Sequence, residues 1–289
     1  MAVNVAFIGL GVMGFPMAGH LQQNGFNVCV YNRTQAKAQK WLETYQGSMA
    51  LTPQAAAENA QIVFVCVGND DDVRSVVLGE EGALAGMTAN TIMVDHSTVS
   101  ADVARELFSI CQSKNIGFLD APVSGGQAGA ENGQLTVMVG GQQQDFDGAY
   151  QAIQSYSRCC KLLGEAGSGQ LAKMMNQICI AGVVQGLAEA LHFGKTAGMD
   201  CAAVIEVISQ GAAQSWQMQN RYHSMLNDHY EHGFAVDWMR KDLAIALNEA
   251  KRNGSTLPVT ALVDQFYGEV QKMGGQRWDT SSLLARLQR

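Results

Sequence analysis

Apolar and polar positions follow two different rhythms along the 289-residue chain. Up to about residue 163, short β-branched or aromatic runs alternate with segments of helical spacing, an order that predicts βαβ units around a parallel sheet. Strands are expected at residues 4–8, 27–31, 62–67, 91–95, 117–120 and 135–139. Helices are expected to start near Val12, Thr34, Pro53, Asp70, Ala101 and Asp145, several of them opened by Thr, Asp or Pro. Beyond Leu163 no strand pattern stands out, and long Ala/Leu/Ile/Met segments predict helices over about 169–196, 200–210, 215–226, 234–252, 258–272 and 279–287. The reading is a doubly wound α/β domain over residues 1–163 and an all-α domain over 164–289, with substrate expected in the cleft between them.

The first strand runs into Gly9-Leu10-Gly11-Val12-Met13-Gly14, and a helix follows. In a dinucleotide-binding turn of this spacing the first glycine allows the tight bend. The second admits a pyrophosphate, and the third lets helix and strand pack closely. The free N–H groups of the helix start then favour phosphate. This context makes the first domain Rossmann-type. After the second strand comes Asn32-Arg33-Thr34, with no carboxylate to hold an unmodified ribose and repel a 2′-phosphate. An amide, a guanidinium and a hydroxyl suit NADP(H) as preferred cofactor, with NAD(H) possible; an exposed surface charge is the plainer alternative for Arg33.

Composition narrows the partners. Apolar residues make up 47% and charged residues 16%, as in an ordinary globular protein, and the net charge of −7 argues against a nucleic-acid binder. A small anion can still be held by a few placed cations and N–H groups. The seven cysteines, among them adjacent Cys159 and Cys160, form no CxxC pair and no metal-ligand grouping, so reduced thiols and a cytoplasmic location are expected, with no metal. The first apolar run lacks a basic leader, and no segment is read as approaching the apolar length that spans a bilayer.

Three further segments bear on chemistry. Pro122-Val123-Ser124-Gly125-Gly126 follows a strand and either presents a hydroxyl and backbone N–H groups to a carboxylate or is simply a turn. Lys173 precedes Asn176 and Gln177 by three and four residues, which places an ammonium and two amides on one helical face. Desolvation at an apolar junction would lower the lysine pKa and let it carry a proton; a solvated surface charge is the alternative. Asp95-His96-Ser97-Thr98 ends the fourth predicted strand, where ligands bind in open α/β sheets.

Four ordered segments, namely residues 9–18, 120–126, 167–169 with Lys173 and Asn176, and Lys241-Asp242-Leu243, resemble the β-hydroxyacid dehydrogenase family over nearly the whole chain. That family includes 3-hydroxyisobutyrate dehydrogenase, tartronate semialdehyde reductase and glyoxylate or succinic semialdehyde reductases. The resemblance implies hydride transfer between a nicotinamide and a small hydroxy acid or its semialdehyde or keto acid. It makes Lys173 the general acid/base, with Asn176 and Gln177 orienting it and the substrate, and Ser124, Gly125 and Gly126 anchoring the substrate carboxylate. Lys241 is implied to touch cofactor and substrate, Asp242 to orient a neighbour, and Ser97 and Thr98 to lie near the nicotinamide ribose. Val67-Gly68 stands where many relatives carry Leu-Pro in a cofactor loop. With Lys173 in that role, His96 is read as strand-end packing. Trp216, Phe234 and Trp238 are read as core or subunit-contact residues before pocket walls. A homodimer or homotetramer built from the C-terminal helices is implied. Related reductases, such as 6-phosphogluconate dehydrogenase or imine reductase, and a non-catalytic dinucleotide-binding scaffold are the alternatives.

Overall fold

The computed structural model describes residues 2–288. Two compact units divide between Lys173 and Met174, inside a long helix.

The first unit runs β1 (Asn4–Ile8), α1 (Gly14–Gln23), β2 (Asn27–Tyr31), α2 (Gln35–Thr44), β3 (Ser48–Met49), α3 (Pro53–Ala57), β4 (Ile62–Val65), α4 (Asp70–Leu78) and α5 (Ala83–Gly86). It continues through β5 (Ile92–Asp95), α6 (Ala101–Ser113), β6 (Gly117–Asp120), β7 (Val123–Ser124), α7 (Gly126–Glu131), β8 (Leu135–Gly141), α8 (Gln143–Ile153), β9 (Ser157–Leu162) and the start of α9 (Ser168–Thr196). The sheet order is β3-β2-β1-β4-β5-β6-β8-β7, with β9 paired to β8. From β3 to β6 every pairing is parallel. Strands buried on both faces need apolar residues at every position, and β4, Ile-Val-Phe-Val, supplies them. Its alternate residues feed the two cores: Ile62 and Phe64 join Phe7 and Val94 on one face, while Val63 and Val65 join Ala6, Ile8 and Met93 on the other.

Three features depart from the sequence reading. β8 runs antiparallel to β6, because the link between them holds only the six-residue α7, too short to return the chain for a parallel pairing. β9 lies in a segment where no strand was expected. It pairs with β8 and is Ser-Arg-Cys-Cys-Lys-Leu, a half-exposed strand whose sequence shows no sustained apolar alternation. The third departure is α9, 29 residues long with an 18-residue stretch of mean hydropathy 1.2, so among the described residues one segment does have the length and composition to span a bilayer. Ile, Val, Leu and Ala raise the average, but the helix also buries Gln170, Lys173, Gln177 and Gln185.

The second unit is helical: the rest of α9, α10 (Cys201–Ile208), α11 (Trp216–Leu226), α12 (Val236–Asn253), α13 (Pro258–Lys272), a 3-10 turn (Thr280–Ser282) and α14 (Leu283–Leu287). Its core gathers Val184, Ala188 and Leu191 of α9 with Met239, Leu243, Tyr267 and Leu284. The expected class, a Rossmann-type parallel sheet followed by an all-α domain, is the one observed.

Candidate active site

In the order β2-β1-β4 the chain leaves β1 in one direction along the sheet and later returns to its other side, so the carboxyl ends of β1 and β4 form a switch point, where such sheets bind ligands. Gly9 sits there with φ of +102°, and a Cβ on it would collide with the carbonyl of Cys66 just after β4. A Cβ on Gly14 would strike the Gly9 carbonyl and come within 2.9 Å of the Phe7 ring. Around Gly11 there is open space instead. α1 begins without a side-chain cap and with no acidic residue in its first turn; Phe15 N donates to Gly11 O at 3.1 Å and Pro16 has no N–H, so it is the amides of the glycine turn just before it that are placed for a ligand. A close-packed turn, an open approach at Gly11 and uncapped amides fit a dinucleotide pyrophosphate.

The loop after β2 divides its labour differently from the sequence reading. The Asn32 amide is engaged by backbone: its Oδ1 accepts from Leu10 N at 2.9 Å and its Nδ2 donates to Thr34 O at 3.0 Å. Asn32 thus fastens the glycine turn to the β2 loop. Arg33 projects outward with its side chain 86% exposed, and its nearest carboxylate is Asp72 at 3.4 Å.

At the ends of β4, β5 and β6 a set of buried polar groups joins neighbouring loops. Val67 N donates to Ser97 Oγ at 2.9 Å, and Ser97 N donates to Asp95 Oδ1 at 2.9 Å. Val67 and Thr98 are half-buried at these loops. His96 is buried, stacked on Phe64, with Nδ1 2.6 Å from Ala121 O and Nε2 2.8 Å from the Tyr156 hydroxyl. A carbonyl only accepts, so Nδ1 carries the proton and Nε2 accepts from Tyr156. Burial lowers the His96 pKa to about 4, against the opposing hydrogen bond to Ala121. A ring neutral at working pH and saturated on both nitrogens packs; it is not a base.

Asp95 and Asp120 are register partners on β5 and β6 and both are buried. Burial raises Asp95 to about 7, opposed by its hydrogen bonds from Ser97, and raises Asp120 to about 6, opposed by the amides of Gly167 and Gln170. Both folded-state values lie above the value of about 4 for an exposed carboxylate, so the native state binds these protons more tightly than the unfolded chain. Their stabilising contribution is complete below pH 4 and is lost as pH rises through 6 to 7. Asp95→Asn is therefore expected to flatten the fall of Tm between pH 4 and 7, measured by thermal melts across that range; a slope equal to that of the unaltered protein would refute the linkage.

Asp120 also fixes where α9 begins. Its Oδ1 accepts from Gly167 N at 2.7 Å and its Oδ2 from Gln170 N at 2.8 Å. Gly169 is glycine because a Cβ there would press into the Asp120 and Met138 carbonyls. One turn on, Lys173 is buried, and its Nζ donates to the Val123 carbonyl at 3.0 Å. That contact sets the ammonium beside the residue preceding Ser124. Ser124 is half-buried, while Gly125 (φ +134°) and Gly126 (φ +62°) are exposed.

In the second unit, Asn176 Nδ2 donates to Gln177 Oε1 at 2.7 Å, Gln177 Nε2 donates to Asp242 Oδ2 at 2.7 Å, and Lys241 Nζ lies 3.2 Å from Asp242 Oδ1. Asp242 is the buried hub of this group. Trp216 and Trp238 are exposed, so a core role does not hold for them; Arg221 covers the Trp216 ring at 4.9 Å, and Lys241 the Trp238 ring at 5.9 Å. Phe234 does pack against the helical core. Sequence reasoning gave Gln170 no role and Asp120 none beyond its place in a motif. The spacing of Gln170 three residues before Lys173 was the available signal.

Residues 4–164 match the NAD binding domain of 6-phosphogluconate dehydrogenase, and residues 167–287 match the domain described as NAD-binding of NADP-dependent 3-hydroxyisobutyrate dehydrogenase. The chain is 68% identical over 285 residues to an uncharacterized oxidoreductase of Shewanella frigidimarina, covering 99% of this chain and 98% of that one. It is 33% identical over 272 residues to the 3-hydroxyisobutyrate dehydrogenase of Pseudomonas aeruginosa, covering 91% of each. A solved 3-hydroxyisobutyrate dehydrogenase of Mycobacterium tuberculosis with L-serine superposes with a TM-score of 0.90 at 26% identity, covering 100% of both chains. The chain therefore belongs to the β-hydroxyacid dehydrogenase family and is a nicotinamide-dependent oxidoreductase that acts on CH–OH groups by hydride transfer.

Proposed function

We propose that the protein interconverts a small β-hydroxy acid and its semialdehyde or keto acid with NADP(H) as preferred cofactor, and that Lys173 carries the proton. The carrying observation is the buried Lys173 ammonium tied to the Val123 carbonyl, one residue from the Ser124 hydroxyl. The nicotinamide, when bound, supplies the hydride acceptor or donor. In oxidation Lys173 Nζ, as the neutral amine, takes the proton from the substrate hydroxyl and becomes the ammonium, and in reduction the ammonium returns a proton to the carbonyl oxygen. Ser124 with the amides of Gly125 and Gly126 holds the substrate carboxylate. Asn176 and Gln177 orient the substrate, and Lys241 contributes positive charge toward cofactor and substrate. The L-serine in the M. tuberculosis structure is itself a β-hydroxy acid, which supports this substrate class.

The absence of a carboxylate after β2 and the outward Arg33 support the NADP preference. Exposed Met175, Val183, Phe193, Val207 and Leu262 support a homodimer or homotetramer, and the acidic net charge together with the reduced thiols supports a cytoplasmic enzyme without nucleic-acid or membrane partners.

The test follows NADPH oxidation against short carboxylate-bearing aldehydes and keto acids, and NADP reduction by the matching hydroxy acids, with Arg33→Ala alongside. Turnover is expected with at least one such pair. Losing a charge-assisted hydrogen bond of about 1.5–3 kcal/mol should reduce the NADP-over-NAD preference roughly 10- to 150-fold in the Arg33 variant. Uniform inactivity despite dinucleotide binding would favour a scaffold role. An unchanged preference would remove the NADP assignment.

A further inference from the structure

Between the loop after β5 and the first turn of α9 lies a fully buried amide that the hydride-transfer chemistry does not use. Gln170 Oε1 accepts from Val99 N at 3.1 Å, and its Nε2 donates to Ser97 O at 2.8 Å. The side chain thus grips the main chain on both sides of Thr98. Its own backbone N–H donates to Asp120 Oδ2, so one residue joins the ends of β5 and β6 to the helix that carries Lys173 three positions later. Ser97 in turn accepts from Val67, which extends the connection to the loop after β4.

We propose that Gln170 is the positioning residue that sets the Ser97–Val99 loop in register with the Lys173 ammonium. The proposal rests on the reading of Lys173 as proton carrier. A primary amide on a two-methylene stem meets the requirement at every pH: one acceptor for an N–H and one donor for a carbonyl, at that reach, in a site closed to water. Leucine has a similar volume and offers neither. Asparagine is one methylene short. A glutamate matches the shape, yet ionised it is acceptor-only and would set a carboxylate oxygen against the Ser97 carbonyl. Protonated, it accepts from Val99 and donates to Ser97 as the amide does.

That difference supplies a test that a purely structural role would not pass. The carboxyl of a Gln170→Glu variant would meet Val99 N and the Ser97 carbonyl in a fully buried site that raises its pKa well above an exposed glutamate's; the charged groups nearest along these connections are Asp120, which accepts from the residue-170 backbone N–H, Asp95, which accepts from Ser97 N, and Lys173 three positions on. The ratio of its kcat to that of the unaltered enzyme, measured from pH 5 to 9, is expected to approach one at the acid end and to fall as pH rises. Gln170→Leu should show a low ratio throughout, because displacing reacting groups by about 1 Å costs on the order of 10²-fold. Turnover is compared at saturating NADPH, with NADPH affinity followed separately by quenching of protein fluorescence, so that any change in the dinucleotide contacts of the Ser97-Thr98 loop does not enter the kcat ratio. A flat ratio for the glutamate variant, or full turnover in a folded leucine variant, overturns the proposal. Lys173→Ala, run in the same series, separates the two ideas: retained turnover there defeats the reading of Lys173, whatever Gln170 does.

Discussion

Lys173→Ala is expected to fold, to bind NADPH and to lose about 10²- to 10⁴-fold in kcat, the range that a positioned general acid or base contributes. The position is the reason for expecting so large a loss. Lys173 is 7% exposed, its Nζ is held by the Val123 carbonyl, and the helix bearing it is clamped at its start by Asp120. Water is a poor substitute for a proton carrier in a site so enclosed. Arginine in the same place separates proton transfer from charge alone: a guanidinium keeps the positive charge but does not give up its proton in a protein. Lys173→Arg should therefore be nearly as slow as the alanine variant while binding carboxylate substrates. Pre-steady-state hydride transfer, read from NADPH absorbance in a single turnover, checks both; a fast burst in either variant would show that the proton travels by another route.

Gly14→Ala is the second change with a large expected effect, and it acts on binding. The added methyl would meet the Gly9 carbonyl and the Phe7 ring, which is fully buried in the sheet and has no room to withdraw. Either α1 shifts outward or the turn deforms, and overpacking of this kind costs about 1–3 kcal/mol. Where the displaced amides are those that hold the pyrophosphate, that cost translates to roughly 5- to 150-fold in Kd for NADPH. The control is Gly186→Ala, at an exposed point of α9 with no atom near the added methyl. There alanine should raise stability by up to about 1 kcal/mol and leave binding alone. Calorimetric titration and thermal melts on the two variants check the contrast, and equal behaviour would mean that the turn tolerates a side chain.

Much of this arrangement is legible in the sequence because it depends on apolar rhythm and glycine spacing. The all-apolar β4 and the run from β1 into Gly9, Gly11 and Gly14 each declare a local structure without reference to the rest of the chain. β9 is illegible for the opposite reason. Its residues carry no sustained apolar alternation, and pairing with the neighbouring β8 makes them a strand. The reversed β8 was hidden as well, since direction within a sheet depends on how far the intervening segment reaches. Among site residues, Ser124 and Lys173 stand out by motif, whereas Asp120 and Gln170 bond to main-chain groups 47 to 73 positions away and leave no periodic trace. Asn32 shows a further limit: its residue type suited a phosphate, but the fold turns the amide inward to Leu10 and Thr34.

The grip of Gln170 on Ser97 and Val99 is made entirely through peptide groups, and the side chain at position 98 takes no part in it. The attachment is therefore indifferent to what residue 98 is, so long as the backbone keeps its path. A mutational library confined to that one position could explore new ligand preferences while the anchoring stays intact, which gives the fold an inexpensive route to diversification.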